Sequence, residues 1–346
     1  MAGPRRADGQ PPAAVPERSG ERARVAVTRA LPDGPFRRLE GRAHAEVWRG
    51  EGPAPTAWLR EACAGAAGLL ATPADRVGDD LVVACPTLRV VSNLAVGTDN
   101  VDVAAMTRRG VLVGNTPGVL TAATADLAFA LVLAASRRLI EARDAVLDGL
   151  WTAWDPAFML GLELAGATMG IIGAGRIGMA VARRALAFDM RVLAWSRRGR
   201  PPAGVGVDGV EMVAMDRLLR ESDVVSIHVA LDASSVHLVG AAELALMKPT
   251  AVLVNTARGA VVDQEALFAA LASGRIAAAG LDVVEHEPID PSDPLLRLPN
   301  CIVVPHIGSA TVATRTAMAE LAVDNLLAGI TGERLPSCVN PELYDA

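Results

Sequence analysis

The chain has 346 residues, 51% of them hydrophobic and 21% charged, enough for two domains with cores of ordinary size. A formal net charge of −6 removes the basic footprint of a nucleic-acid partner, and no apolar run is long enough to span a bilayer. Four widely spaced cysteines (Cys63, Cys85, Cys301, Cys338) without a CxxC pair argue against a disulfide frame or zinc site and for a reducing, cytoplasmic setting.

Residues 1–22, MAGPRRADGQPPAAVPERSGER, are rich in Pro, Gly and charge and read as a disordered leader, not a signal peptide. Strand-like runs follow at Arg24–Val27, Gly68–Ala71 and Arg89–Ser92, with helical stretches between them. That alternation argues for a parallel α/β sheet. In NLAVGTDNVD, 93–102, Gly97 lies where a strand ends, so successive N–H groups there could point into a cleft and hold a small anion. Taken locally, a plain strand–helix turn with Asp99 as helix cap fits better.

Val111–Val113 is a further strand, stopped by Asn115-Thr116-Pro117-Gly118. From Thr121 to about Arg143 the spacing predicts one long helix. Its apolar residues Leu127, Ala128, Phe129, Leu131, Val132 and Leu133 cover nearly the whole circumference, so burial on all sides is expected. Such a helix lies between two domains or two subunits, and the second option implies a homodimer. Trp151 and Trp154 share the next loop, as a packing anchor first and a substrate or partner contact second.

The stretch from Ala167 to Arg198 is the most informative. Met169–Ile172 reads as a strand, Gly173-Ala174-Gly175-Arg176-Ile177-Gly178 as a glycine turn, Met179–Phe188 as a helix and Arg191–Trp195 as a second strand. A GxGxxG alone means little, but in this strand–turn–helix–strand context it points to a dinucleotide. Gly173 permits the turn, Gly175 lets backbone approach a pyrophosphate, and Gly178 lets helix and strand pack. After the second strand come Ser196, Arg197 and Arg198, with no acid to bond ribose hydroxyls. A hydroxyl and two guanidiniums suit a 2′-phosphate, so NADP(H) is expected to be preferred, with NAD(H) possible. Arg200 nearby keeps open a plain solvated basic turn.

Strands continue at Val224–Val229, Ala251–Asn255 and Ala277–Val284, with His228 read as core. Ligands collect at the carboxyl ends of such strands. Found there are Thr256-Ala257-Arg258, then Asp282 and Glu287, then His306. Reducing a 2-keto acid needs a carboxylate clamp, a polarised carbonyl and a proton. Arg258 suits the first two, and His306 the third. Glu287, accepting from the second ring nitrogen, would fix the tautomer. Singly, each residue has a blander reading as cap, solvated turn or core imidazole; three at three strand ends beside a dinucleotide loop reverse that judgement.

At this point the chain, from about Arg24 to Asn340, resembles the D-2-hydroxyacid dehydrogenase family and its glyoxylate/hydroxypyruvate reductase branch. The motifs are NLAVGTDNVD (93–102), GVLVGNTPGVLTAATADLAFALVLAASR (110–137), GIIGAGRIG (170–178), LVNTARGAVVDQEALFAALASGRIAAAGLDVVEHEP (253–288) and VVPHIGSAT (303–311). The resemblance implies Arg258, Glu287 and His306 as catalytic residues, and substrate carboxylate binding by amides around Val96 and Gly97, against the local reading there. It implies cofactor contacts at Ala174–Ile177, Ser196–Arg198, Thr256–Arg258, Asp282 and His306–Gly308. The implied fold is two Rossmann-like domains flanking a cleft, with 23–117 plus 307–346 binding substrate and 118–306 binding the dinucleotide. The implied partner is a second copy of the chain, and Trp154 can reach the neighbouring subunit's site. The chain departs from the pattern at Ala230-Leu231-Asp232-Ala233, where many relatives have Pro-Leu-Thr-Pro, and at Leu69-Leu70-Ala71-Thr72, more polar in relatives. Another 2-keto acid such as 2-ketogluconate, or a nucleotide-sensing corepressor on the same fold, is compatible with these residues.

Overall fold

Short runs of β-branched and aliphatic residues, most of them separated from the next by a helix, generate two all-parallel sheets in this computed structural model. It describes residues 22–345. The disordered leader expected over 1–22 lies, apart from Arg22, outside the described residues. One unit is made by the chain up to Leu120 together with Thr311 onward, the other by Thr121–Ala310.

In the first unit β1 (Arg24–Val27), β2 (His44–Val47), β3 (Gly68–Ala71), β4 (Val90–Asn93) and β5 (Leu112–Gly114) lie in the order β2-β1-β3-β4-β5. Val25, Leu70 and Val90 pack under Ala322 and Leu326 of the helix Val312–Thr331. Leu59, Leu81 and Met106 cover the opposite face. The short helix Val103–Arg108 is capped by Asp102, whose Oδ1 accepts from the Ala105 amide at 2.8 Å. The cap is therefore not Asp99, because only Asp102 stands immediately before the first helical turn.

In the second unit β6 (Thr168–Ile172), β7 (Arg191–Trp195), β8 (Val210–Met212), β9 (Val224–Ile227), β10 (Val252–Asn255), β11 (Ala278–Leu281) and β12 (Cys301–Val303) lie in the order β12-β11-β10-β9-β6-β7-β8. The chain runs outward from β6 to β8 and then returns to β9 on the other side of β6. The strand order thus reverses between β6 and β9, where open parallel sheets bind ligands. Strands β6, β9, β10 and β11 are buried at every position, which accounts for their near-continuous apolar sequences.

The long helix expected from Thr121 to about Arg143 is two helices, Thr121–Ser136 and Leu139–Leu147. The Ser136 carbonyl, which would have accepted from a fourth residue onward, is taken instead by the Leu162 amide at 2.8 Å. Arg138 then turns through φ 53°, its guanidinium bonded to Glu141 at 3.1 and 2.7 Å. The first helix is buried against its own sheet and the helix Arg176–Ala187, with Ala128, Leu131 and Val132 in the shared core. Leu127 and Leu133 stay only partly buried and Ala130 is exposed, so the rest of the helix's own unit covers much, not all, of its apolar circumference. The exposed apolar surface comes after it, at Leu139, Ile140, Leu147, Leu150, Trp151 and Trp154. Among the described residues no helix is long and apolar enough to cross a membrane.

Candidate active site

Strand β6 ends at Ile172, and the chain leaves it through Gly173 at φ +110°. A Cβ there would stand 2.6 Å from the His228 carbonyl group, and one on Gly178 only 2.0 Å from the Gly173 oxygen. Only glycine allows this turn and this closeness of helix to strand. Gly175 opens the helix Arg176–Ala187 with no side-chain cap, and a Cβ on it would meet nothing within 4 Å. The helix therefore presents its first N–H groups, Arg176 and Ile177 among them, to an anion.

A cavity of ≈ 290 Å³ lies beside this turn, lined among others by Gly173, Ala174, Gly175, Ser196, Arg197, Arg198, Arg200 and His228. The Ser196 hydroxyl donates to the Arg200 carbonyl at 3.2 Å, which folds the basic segment back on itself. His228 is a lining residue here, not the core residue the sequence suggested. Its amide donates to the Ile172 carbonyl at 2.7 Å and its Nε2 lies 2.8 Å from Ser226 Oγ. Its Nδ1 is shut from solvent with no partner among the described residues, and burial pushes its pKa down to about 3. The apolar run around it concealed this, since the residue just past a strand can open onto a ligand cavity.

The fully buried Thr256 Oγ1, at the end of β10, also lacks a protein partner among the described residues. An uncapped helix start, a glycine turn and cationic side chains around one cavity fit a dinucleotide: phosphates at the amides, adenosine over the basic segment.

The remaining predicted residues sit at the carboxyl ends of β10, β11 and β12, which are neighbours in the sheet. Past β10, Asn255 Oδ1 accepts from the Ala257 amide at 3.0 Å and its Nδ2 donates to the Arg258 carbonyl at 2.9 Å. The Arg258 Nη1 donates to the Ala257 carbonyl at 2.8 Å. Gly259 follows, and a Cβ there would lie 1.9 Å from the Val284 carbonyl group. The backbone carrying Arg258 rests directly on the backbone leading to Glu287.

Beyond β12, His306 holds φ +52°, a left-handed conformation uncommon outside glycine. Its amide donates to the Asp282 carbonyl at 2.9 Å. The Asp282 carboxylate accepts from the Ile307 amide at 2.6 Å and the Gly308 amide at 2.8 Å. Burial pushes this carboxyl's pKa up, while these amides oppose the shift. The result is a clamp that sustains the strained backbone under His306. The imidazole Nδ1 lies 2.7 Å from Glu287 Oε2, while Glu287 Oε1 accepts from the Val284 amide at 3.3 Å.

In the other unit, Asn115 Nδ2 donates to the Val96 carbonyl at 2.8 Å and Asn93 Nδ2 to the Gly97 carbonyl at 2.9 Å. Because C=O and N–H of a trans peptide point opposite ways, the Gly97 and Thr98 amides turn away from these asparagines.

A dinucleotide turn at the reversal of a parallel sheet, followed by ionisable residues at neighbouring strand ends, defines an NAD(P)-dependent oxidoreductase. Residues 129–308 match the family described as D-isomer specific 2-hydroxyacid dehydrogenase, NAD binding domain, and the chain belongs to that family. It is 47% identical to the glyoxylate reductase of Korarchaeum cryptofilum over 92% of this chain and 96% of that one. It is 44% identical to the mouse glyoxylate reductase/hydroxypyruvate reductase, over 91% and 97% of the two chains. Among solved structures, it matches the NADPH-dependent glyoxylate/hydroxypyruvate reductase of Sinorhizobium meliloti in complex with NADP and malonate. That match has a TM-score of 0.81 and 35% identity, and covers 92% of this chain and 97% of the other.

Proposed function

We propose that the protein is an NADPH-preferring reductase of small 2-keto acids, glyoxylate and hydroxypyruvate first, giving glycolate and D-glycerate. The observation that carries the cofactor preference is the grouping of Ser196, Arg197, Arg198 and Arg200 on the cavity beside the glycine turn. The relatives named glyoxylate or hydroxypyruvate reductase support the substrate class.

When bound, the nicotinamide supplies the hydride. Arg258 holds the substrate carboxylate with its planar fork and polarises the carbonyl. His306 gives a proton from Nε2 to the oxygen that becomes the hydroxyl, and Glu287 keeps the ring oriented through Nδ1. The amides around Val96 and Gly97 bind the substrate carboxylate from the first unit, residues 23–117 plus 307–346 forming the substrate domain and 118–306 the dinucleotide domain. The exposed apolar stretch at Leu139–Trp154 supports assembly as a homodimer.

Loss of absorbance at 340 nm with NADPH and glyoxylate or hydroxypyruvate, compared with a panel of other 2-keto acids, tests the activity. Replacing Arg197 with Asp and Arg198 with Ala is expected to shift preference toward NADH. An unchanged NADPH/NADH ratio would refute the 2′-phosphate assignment.

A further inference from the structure

Arg197 already holds an anion of the protein's own. Its Nη2 lies 2.6 Å from Asp232 Oδ2 and its Nη1 3.2 Å from Oδ1, with Nη1 also bonded to Ser234 Oγ. This is the two-pronged arrangement in which a guanidinium binds a carboxylate or a phosphate. Asp232 is itself held in place. Its Oδ1 accepts from the Ser234 amide at 2.9 Å and the Ser234 hydroxyl at 2.6 Å, and its amide donates to Ser235 Oγ at 2.8 Å. The bonds from Ser234 and from Arg197 pull its carboxyl down to about 2, so it is an anion throughout the neutral range.

Arg197, Ser234 and Ser235 all line the cavity beside the glycine turn. A phosphate monoester on the ribose 2′ position would ask for the same N–H pair that Asp232 occupies. It would also meet a negative charge one hydrogen bond away.

We propose that Asp232 is a specificity-determining residue for the cofactor, an internal anion that competes with the 2′-phosphate for Arg197. Recognition of that phosphate then falls on Ser196, Arg198 and Arg200, and discrimination against the unphosphorylated cofactor is smaller than the cationic lining alone would give. The pair is solvent-facing, with side chains 59% and 42% exposed, so the competition is of moderate strength and the phosphate can displace the carboxylate. The proposal rests on the reading above that the 2′-phosphate lies among Ser196, Arg197 and Arg198.

The test is calorimetric titration of the full chain with adenosine 2′,5′-bisphosphate and with 5′-AMP, which differ only by the 2′-phosphate. Asp232→Asn is expected to raise the affinity ratio of bisphosphate to monophosphate about threefold to tenfold. The gain should shrink when Arg197→Ala is added, leaving only the relief of charge repulsion. Asp232→Ser serves as a second variant, and retained 5′-AMP binding shows that the site is intact. An unchanged or lowered ratio in both variants, or a gain that is undiminished without Arg197, overturns the proposal. If the unaltered protein binds both probes equally while Asp232→Asn favours the bisphosphate, the NADPH preference fails and the role of Asp232 stands. If the unaltered protein favours the bisphosphate and the variants leave the ratio untouched, the preference stands and the role of Asp232 fails.

Discussion

Glu287 Oε2 stands 2.7 Å from His306 Nδ1, although 19 positions separate the two residues in the chain. An ionised carboxylate can only accept, so Nδ1 must carry the hydrogen and Nε2 is the nitrogen left for proton exchange. Glu287→Gln can turn its NH2 toward the ring and favour the other tautomer. We expect kcat to fall by about 10²–10⁴ with cofactor Kd unchanged. Steady-state kinetics paired with a cofactor titration check this; a kcat within twofold of the parent would remove Glu287 from the mechanism.

Asp282→Asn retains the shape of the clamp beneath His306 but puts a donor against one of two backbone N–H groups. A buried amide without its acceptor costs about 1–3 kcal/mol. The urea midpoint should drop accordingly, and kcat should fall more than KM rises, since the left-handed His306 backbone loses its support. A variant with the parent's midpoint would show that the clamp contributes nothing to stability.

His228 offers a pH dependence. Its pKa is pushed by burial from the ordinary 6.5 to about 3, so the folded state refuses a proton that the unfolded chain accepts. The unfolded state binds more protons across that window, and stability therefore falls as pH falls below about 6.5. At about 1.4 kcal/mol per pH unit, roughly 2 kcal/mol is lost by pH 5. His228→Gln should flatten that part of the profile. Parallel stability–pH curves for the two proteins would contradict the assignment.

Trp151 and Trp154 are 64% and 83% exposed, in a stretch that also exposes Leu147 and Leu150. For the homodimer proposed above, replacing both tryptophans with Glu should leave a monomer in light scattering, with the glycine turn still able to bind adenine nucleotides. A dimer that persists in the double variant places the interface elsewhere.

Central strands, the glycine turn and the strand-end residues were legible because each leaves a local mark: a fully buried apolar run, a glycine spacing, an ionisable residue after the run. The edge strands β2 and β8 were not. They are short, partly exposed and carry His44, Glu46 and Glu211, so neither alternation nor an apolar run distinguishes them. The break at Arg138 was equally hidden. Its cause is the Leu162 amide on the Ser136 carbonyl, a contact between separate segments that no helical period encodes. Asp232 stood out only as a departure from the Pro-Leu-Thr-Pro pattern; its pairing with Arg197 bridges 35 positions and exists only in the fold.

Gly259 meets Val284 with no side chain between them. Two peptide planes in such contact leave no space between them, so the spacing of the loops bearing Arg258 and Glu287 is set by the missing side chain. A bulkier residue at 259 would wedge them apart and displace Arg258 from Glu287 without either having been altered.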